Sequence, residues 1–172
     1  SKMILVATDG RRLAMAEEEI EGSATGEFIV PSKAVGELGR LLGVAGEVSI
    51  RQGETQVEFT LTQGGIEPIK IFSKLVEGSY PNYKQVIPKE SKERITLVRE
   101  ELLHALRRAD QVTSDKANSV TLKFGDNNLT INANSPDIGE GRESLAINYK
   151  GDEIKVSFNP GFLMDALKIL ES

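Results

Sequence analysis

His104 is the only histidine of the chain, so a hydrolase that depends on a histidine base would have to use it. The sequence contains no cysteine, which excludes a thiolate nucleophile, a thiolate metal site and a disulfide. Arg107 and Arg108 follow His104 closely, and no nucleophile motif lies nearby. We therefore interpret His104 as part of an exposed helix face and expect no catalytic residue in this chain.

The acidic run Glu17, Glu18, Glu19 is the other group that could do chemistry, as a metal site. Neighbouring residues of a strand point to opposite faces, so the run fits a solvated strand edge better than a ligand set. The sequence shows no P-loop, dinucleotide fingerprint or zinc spacing. Its aromatic content of 5%, with no tryptophan, argues against a stacking platform for single strands. We expect no metal and no cofactor.

Two predicted helices carry cationic faces opposite their apolar stripes. The net charge is −5, and the acidic residues gather in predicted strands and turns. Such cationic faces could contact phosphates, with an affinity that depends on salt and is independent of sequence. Spacing alone favours ordinary solvated faces. The residues are Lys33, Gly36 and Arg40 on the first helix, and His104, Arg107, Arg108 and Gln111 on the second.

Composition places the chain among soluble globular proteins. It has 172 residues, of which 39% are hydrophobic and 27% charged, enough for one domain or two small ones. No run approaches the roughly 18 apolar residues of a membrane span. The absence of cysteine is compatible with a reducing cytoplasm, where we expect the protein. Because an apolar run follows Ser1 almost at once and an apolar-periodic helix reaches the last residues, we interpret the chain as a piece of a longer polypeptide.

Alternating apolar residues predict that strands dominate, with three amphipathic helices among them. Two prolines and several charges in 77–93 indicate an interdomain connection. The predicted helices are 31–42, about 98–112 and 160 to about 171. The predicted strands are 3–8, 11–17, 27–30, 47–51, 56–62, 66–72, 118–124, 128–133, 143–149 and 153–158.

An internal similarity appears when Pro31 is superposed on Pro160. Each proline follows an apolar run and begins a helix, and the apolar positions of the two helices then coincide. The long period predicts duplicated domains, since solenoid repeats run to about 20–50 residues. Chance remains the alternative, because strand–proline–helix joints are common. The coinciding pairs are Val35 with Met164, Leu38 with Leu167 and Leu41 with Leu170.

Four stretches carry a resemblance to a known family: LVATDGRRLA, FIVPSKAVGEL, FSKLVEGSYPNYKQVIP and FNPGFLMDAL. In order and spacing they resemble the bacterial sliding clamp, the beta subunit of DNA polymerase III. The resemblance implies an α+β fold of the DNA-clamp type, with antiparallel sheets, two helices per domain on one face, and duplicated domains. Residues 1–88 would be the later part of the second domain. Residues 89–172 would be the third domain without its final strands.

The resemblance also implies a function. The protein would be a non-catalytic processivity factor of DNA replication, a head-to-tail homodimer that closes a ring around double-stranded DNA. Its partners would be the alpha subunit of DNA polymerase III, the clamp loader and repair polymerases, with no membrane involved. The residues that would face the DNA are Lys33, Arg40, Arg107 and Arg108.

A peptide-binding cleft is the site that the family would place around the Asp9-Gly10 turn. Many clamps have histidine where this sequence has Arg11, and tyrosine where it has Phe162. These two differences would affect the polar contacts to a bound peptide and not the apolar ones. A stand-alone peptide-binding scaffold that does not encircle DNA is the alternative function. The implied cleft residues are Thr8, Gly10, Arg11, Arg12, Leu13, Pro81, Gln85, Val86 and Phe162.

Overall fold

The computed structural model describes residues 1–22, 25–43, 46–65, 67–113 and 118–170. The chain divides into two compact units. Unit 1 comprises Ser1–Asp9 and Leu13–Ile87, and unit 2 comprises Gly10–Arg12 and the chain from Pro88 onward. The architecture is α+β, with antiparallel sheets in both units. Among the described residues, no helix is long and apolar enough to cross a membrane.

In the described residues, unit 1 contains two separate antiparallel sheets and one α-helix. Strands β1 (Lys2–Thr8) and β2 (Leu13–Glu19) form a hairpin in which Thr8 pairs with Leu13. Its connection passes through Gly10, whose φ of +81° suits glycine. Helix α1 and the second sheet complete the unit. They are α1 (Ser32–Leu41), β3 (Glu47–Gln52), β4 (Gln56–Thr62) and β5 (Ile69–Lys74), with strand order β3-β4-β5.

The core of unit 1 is one face of β4. Val57, Phe59 and Leu61 share this face because alternate strand residues point to the same side of the sheet, and all three are buried. Phe28 and Leu38 are among the half-buried side chains that pack against them. Helix α1 itself has no buried residue. Beyond β5 the chain runs without regular structure except for a short 3-10 helix, Tyr83–Gln85, as expected for the connecting segment.

In the described residues, unit 2 contains one four-stranded sheet and two helices. The strand order is β8-β7-β6-β9, all antiparallel. The β6–β7 hairpin turns at Asp126 and Asn127, which both have positive φ, as a tight two-residue turn requires. The elements are α2 (Arg99–Asp110), β6 (Val120–Gly125), β7 (Asn128–Ser135), β8 (Gly139–Ala146), β9 (Ile154–Phe158) and α3 (Pro160–Ile169).

The core of unit 2 lies between this sheet and α2, which packs against α3, β7 and β8. Leu103, Leu106 and Ala109 of α2 are buried at helical spacing. From the sheet, Leu129 and Ile131 are fully buried. The predicted apolar stripe of this helix is confirmed, and its predicted polar face is exposed.

Two predicted strands depart most from the structure, while others shift by two or three residues at their ends, such as 11–17, which is Leu13–Glu19. Residues 27–30 are not a strand: Ile29 accepts one backbone hydrogen bond from Val76, and Pro31 then begins the approach to α1. The strand predicted at 143–149 is instead Gly139–Ala146, because the β7–β8 turn is tight and Ser135 pairs with Gly139. Ile147 and Tyr149 are buried without belonging to the strand. The predicted strand start at Ile66 and the predicted helix end at Glu171 lie outside the described residues.

Candidate functional site

Helix α3 is the element that presents Phe162, and its start is fixed by two local signals. The side chain of Asn159 accepts a hydrogen bond from the backbone N–H of Gly161 at 2.9 Å, which caps the helix. Pro160 follows at the first helical position, where a missing N–H costs nothing, and its side chain is buried. Phe162 is half-buried in the first turn.

Arg12 reaches this helix turn within unit 2. Its guanidinium carbon lies 4.6 Å from the centre of the Phe162 ring, a cation–π geometry. The same guanidinium donates from Nη1 to Oδ2 of Asp165 at 2.8 Å. Two predicted cleft residues that are far apart in sequence are therefore in contact, together with a carboxylate that the sequence did not single out.

Asp165 has a second cation beside it. Lys168 Nζ lies 3.2 Å from Oδ1, so each carboxylate oxygen has its own partner. The hydrogen bond from Arg12, and after it the one from Lys168, lower the pKa of Asp165 below its usual value. The carboxylate is therefore ionised throughout the neutral range, and it faces Arg12 as a charge.

The other predicted cleft residues belong to unit 1, apart from Gly10 and Arg11, which group with unit 2. Thr8 and Leu13 face each other across the β1–β2 hairpin. Pro81, Gln85 and Val86 lie in the connecting segment, and the Val86 side chain is 68% exposed. The hydroxyl of Tyr80 donates to the carbonyl of Val6 at 3.2 Å, which ties this segment to β1. That all nine residues form one cleft stays a prediction.

The four predicted DNA-facing cations are exposed, but they differ in their partners. Arg40 donates to Glu37 on its own helix at 2.9 Å. Arg108 donates to Glu143 of β8 at 2.6 Å, a contact that lowers the pKa of the Glu143 carboxyl and raises that of Arg108. Lys33 and Arg107 have no ion pair within the part of the chain that the structure describes.

The described ranges contain no cluster of three or more His, Cys, Asp or Glu side chains that could hold a metal. His104 lies 3.7 Å from Glu100 on the exposed side of α2. A cavity of about 310 Å³ in unit 2, which the sequence did not reveal, has one ionisable lining residue, Glu101. It contains none of the predicted site residues.

The sequence missed Asp165 and Glu143, the carboxylates that partner two predicted site residues. The spacing of Phe162, Asp165 and Lys168 by threes places them along one side of α3, which is a readable signal. Nothing in the spacing indicates Arg12 as their partner, because 153 residues separate Arg12 from Asp165.

Comparison with protein families gives two matches that together cover nearly the whole chain. The family described as the central domain of the DNA polymerase III beta subunit matches residues 1–82. The family described as the C-terminal domain of the same subunit matches residues 84–172.

Individual relatives agree with these matches. The beta sliding clamp of Chlamydia pneumoniae is 36% identical over 168 residues, which cover 95% of this chain and 44% of that protein. A sliding clamp of Bartonella birtlesii, solved bound to griselimycin, superposes with a TM-score of 0.91 at 33% identity, over 99% of this chain and 46% of the other. The clamp of Bacillus subtilis gives a TM-score of 0.88 at 32% identity, over 100% and 46%. The chain thus spans less than half the length of these relatives.

Proposed function

Because the chain belongs to the family of bacterial sliding clamps, the beta subunits of DNA polymerase III, we propose that it acts in a processivity factor of DNA replication. Residues 1–88 supply the later part of the second clamp domain and residues 89–172 most of the third. The protein works in the cytoplasm and catalyses no reaction. It holds other proteins on DNA.

The contact between Arg12 and Phe162 is the observation that carries the partner-binding part of this proposal. The stem of an arginine and the ring of a phenylalanine offer apolar surface, while the guanidinium can donate to a peptide backbone. Leu13, Pro81 and Val86 supply further apolar surface from unit 1. Sliding clamps from Bartonella birtlesii and Pseudomonas aeruginosa have been solved with griselimycin bound, and we propose that this chain also binds griselimycin, in the predicted cleft.

The exposed cations of α1 and α2 support the DNA part of the proposal. Lys33, Arg40, Arg107 and Arg108 contact phosphates of duplex DNA, which look alike at every register, so the protein slides without reading sequence. A head-to-tail dimer closes the ring. A polymerase bound in the cleft then rebinds the template at a high effective concentration after each release.

Calorimetric titration of the full-length protein with griselimycin tests the cleft. An apolar anchor the size of leucine contributes about 1.5–3 kcal/mol when buried. Leu13→Ala and Phe162→Ala should each weaken binding by about one to two decades, at 1.4 kcal/mol per decade. Leu61→Ala is the control, because Leu61 is buried in the unit 1 core and should lower the unfolding midpoint without changing the affinity. Unchanged affinity in both cleft variants would exclude this cleft.

Retention on DNA tests the ring separately. The protein should stay on a nicked circular duplex and leave it once the circle is linearised, because a ring can slide off a free end. Equal loss from circular and linear DNA, with griselimycin still bound tightly, would favour the stand-alone peptide-binding scaffold.

A further inference from the structure

Phe162 and Asp165 lie three residues apart on α3 and hold one guanidinium between them. Its central carbon lies over the ring at 4.6 Å from the ring centre, and the carboxylate accepts from its Nη1 at 2.8 Å. A guanidinium held at two points, by a ring and by a carboxylate, has little freedom left to rotate. The Arg12 side chain nevertheless remains accessible to a ligand, since 45% of it is exposed.

We propose that Asp165 is a positioning residue of the peptide-binding cleft. It holds Arg12 on the Phe162 ring, so that the cleft presents one ordered apolar and hydrogen-bonding surface before a ligand arrives. The inference rests on the proposed cleft and adds to it a residue that contacts Arg12 rather than the ligand.

Because this ion pair is exposed, we expect it to order the cleft more than to stabilise the fold. The Arg12 and Asp165 side chains are 45% and 52% exposed, and ion pairs in such positions contribute little to folding. Their effect is expected on binding, where a long side chain that is already ordered does not lose its freedom again. For one such side chain, the expected change in affinity is about two- to tenfold.

Lys168 offers a built-in control. It contacts Oδ1 of Asp165, whereas Arg12 contacts Oδ2. Lys168→Ala therefore removes a cation from the same carboxylate and leaves the Arg12–Asp165 contact in place. If the carboxylate acts through Arg12, this variant should bind like the parent.

A double-mutant cycle on the full-length protein, titrated with griselimycin, tests the proposal. Asp165→Asn keeps the shape of the side chain and removes its charge, and it should weaken binding about two- to tenfold with little change in the unfolding midpoint. Asp165→Glu should recover part of the loss. In an Arg12→Ala background, Asp165→Asn should have no further effect, because the residue that it positions is gone.

The outcomes separate this inference from the proposed function. If Leu13→Ala and Phe162→Ala weaken binding but Asp165→Asn does not, the cleft stands and the positioning role is overturned. An equal effect of Asp165→Asn with and without Arg12 also overturns it, since the carboxylate would then act on its own. If Leu13→Ala and Phe162→Ala both bind like the parent, the proposed cleft itself fails.

Discussion

Units 1 and 2 are built from the same kinds of element, yet they bury very different amounts of apolar side chain. Among the described residues, the hydrophobic cluster of unit 2 has twelve buried residues, and that of unit 1 has three. Helix α2 buries four residues, whereas α1, with an equally clear apolar stripe, buries none. An amphipathic pattern therefore predicts a helix without predicting how many of its residues are buried.

The sheets explain this difference. In unit 2 one face of β7 is fully buried, because its alternate residues pack in the same cluster as the buried side chains of α2. In unit 1 the hairpin β1–β2 forms a sheet of its own, and two strands alone are marginally stable. Leu5 of that hairpin is 60% exposed and Phe72 of β5 is 62% exposed. We therefore expect unit 2 to carry most of the stability of the chain.

The largest expected effect comes from removing a core leucine from each unit. Leu106 is fully buried in the larger cluster, so Leu106→Ala should cost about 2–5 kcal/mol. Leu61→Ala should cost about 2 kcal/mol, at the lower end of that range, because only two other buried side chains share its cluster among the described residues. Hydrogen exchange, followed separately in peptides from each unit, measures both losses of stability.

Leu170→Ala is the control for these variants, since this side chain is 56% exposed and should change stability by less than about 0.5 kcal/mol. An equal loss from Leu106→Ala and Leu61→Ala would mean that the two cores contribute alike. The two units would then differ in how many side chains they bury but not in the stability that a core leucine contributes.

Sequence reasoning located the helices and most strands because their signals are local. Pro31 and Pro160 mark helix starts, and alternation around Phe59 marks a buried strand face. It failed at 27–30, where an apolar run looks like a strand but makes a single backbone hydrogen bond across to Val76. It also shifted β8, because Gly139 and Gly141 carry no apolar pattern although both pair with β7.

The candidate site was predictable only in part, and for a related reason. The resemblance pointed to Arg12 and Phe162, which the structure brings into contact. Their carboxylate partner, Asp165, meets Arg12 across 153 residues, and pairings at that distance leave no trace in local spacing. The strand–proline–helix repeat is likewise found only in part. Strand β9 ends just before Pro160, whereas residues 27–30, just before Pro31, form no strand.

The predicted DNA-facing cations give a second comparison in each unit, between a cation that has an ion pair among the described residues and one that has none there. Removing a cation that contacts phosphate should reduce the slope of log affinity against log salt concentration by about 0.9. Arg107→Ala in unit 2 and Lys33→Ala in unit 1 should approach that value. Arg108→Ala and Arg40→Ala should give less, because Glu143 and Glu37 already offset part of their charge. DNA binding across a salt series measures the four slopes.

Glu143→Gln completes this test by releasing Arg108. The slope should become steeper in this variant, since Arg108 gains a full interaction with phosphate when its carboxylate partner is neutral. Four identical slopes would contradict the distinction between paired and unpaired cations. If every variant had the same salt-dependence slope as the parent, these side chains would not contact the DNA.

The smallest expected effect concerns acid stability, for which each unit holds one comparable glutamate. Hydrogen bonds from Arg108 in unit 2 and from Lys70 in unit 1 are the main causes that lower the pKa values of Glu143 and Glu58. A carboxyl with a lowered pKa in the folded state stabilises the protein above its unfolded pKa of about 4.3. That contribution disappears as the pH falls through the lower, folded value.

Glu143→Gln and Glu58→Gln should therefore lose less stability than the parent between about pH 5 and pH 3. Both pairs are near the surface, so the change amounts to a few degrees in melting temperature at most. Hydrogen exchange at several pH values should assign the Glu143 effect to unit 2 and the Glu58 effect to unit 1. Glu54→Gln, in the exposed β3–β4 turn, serves as the control. If Glu58→Gln also flattened the acid response of unit 2, the two units would unfold together, and the contrast in their cores would not translate into separate stabilities.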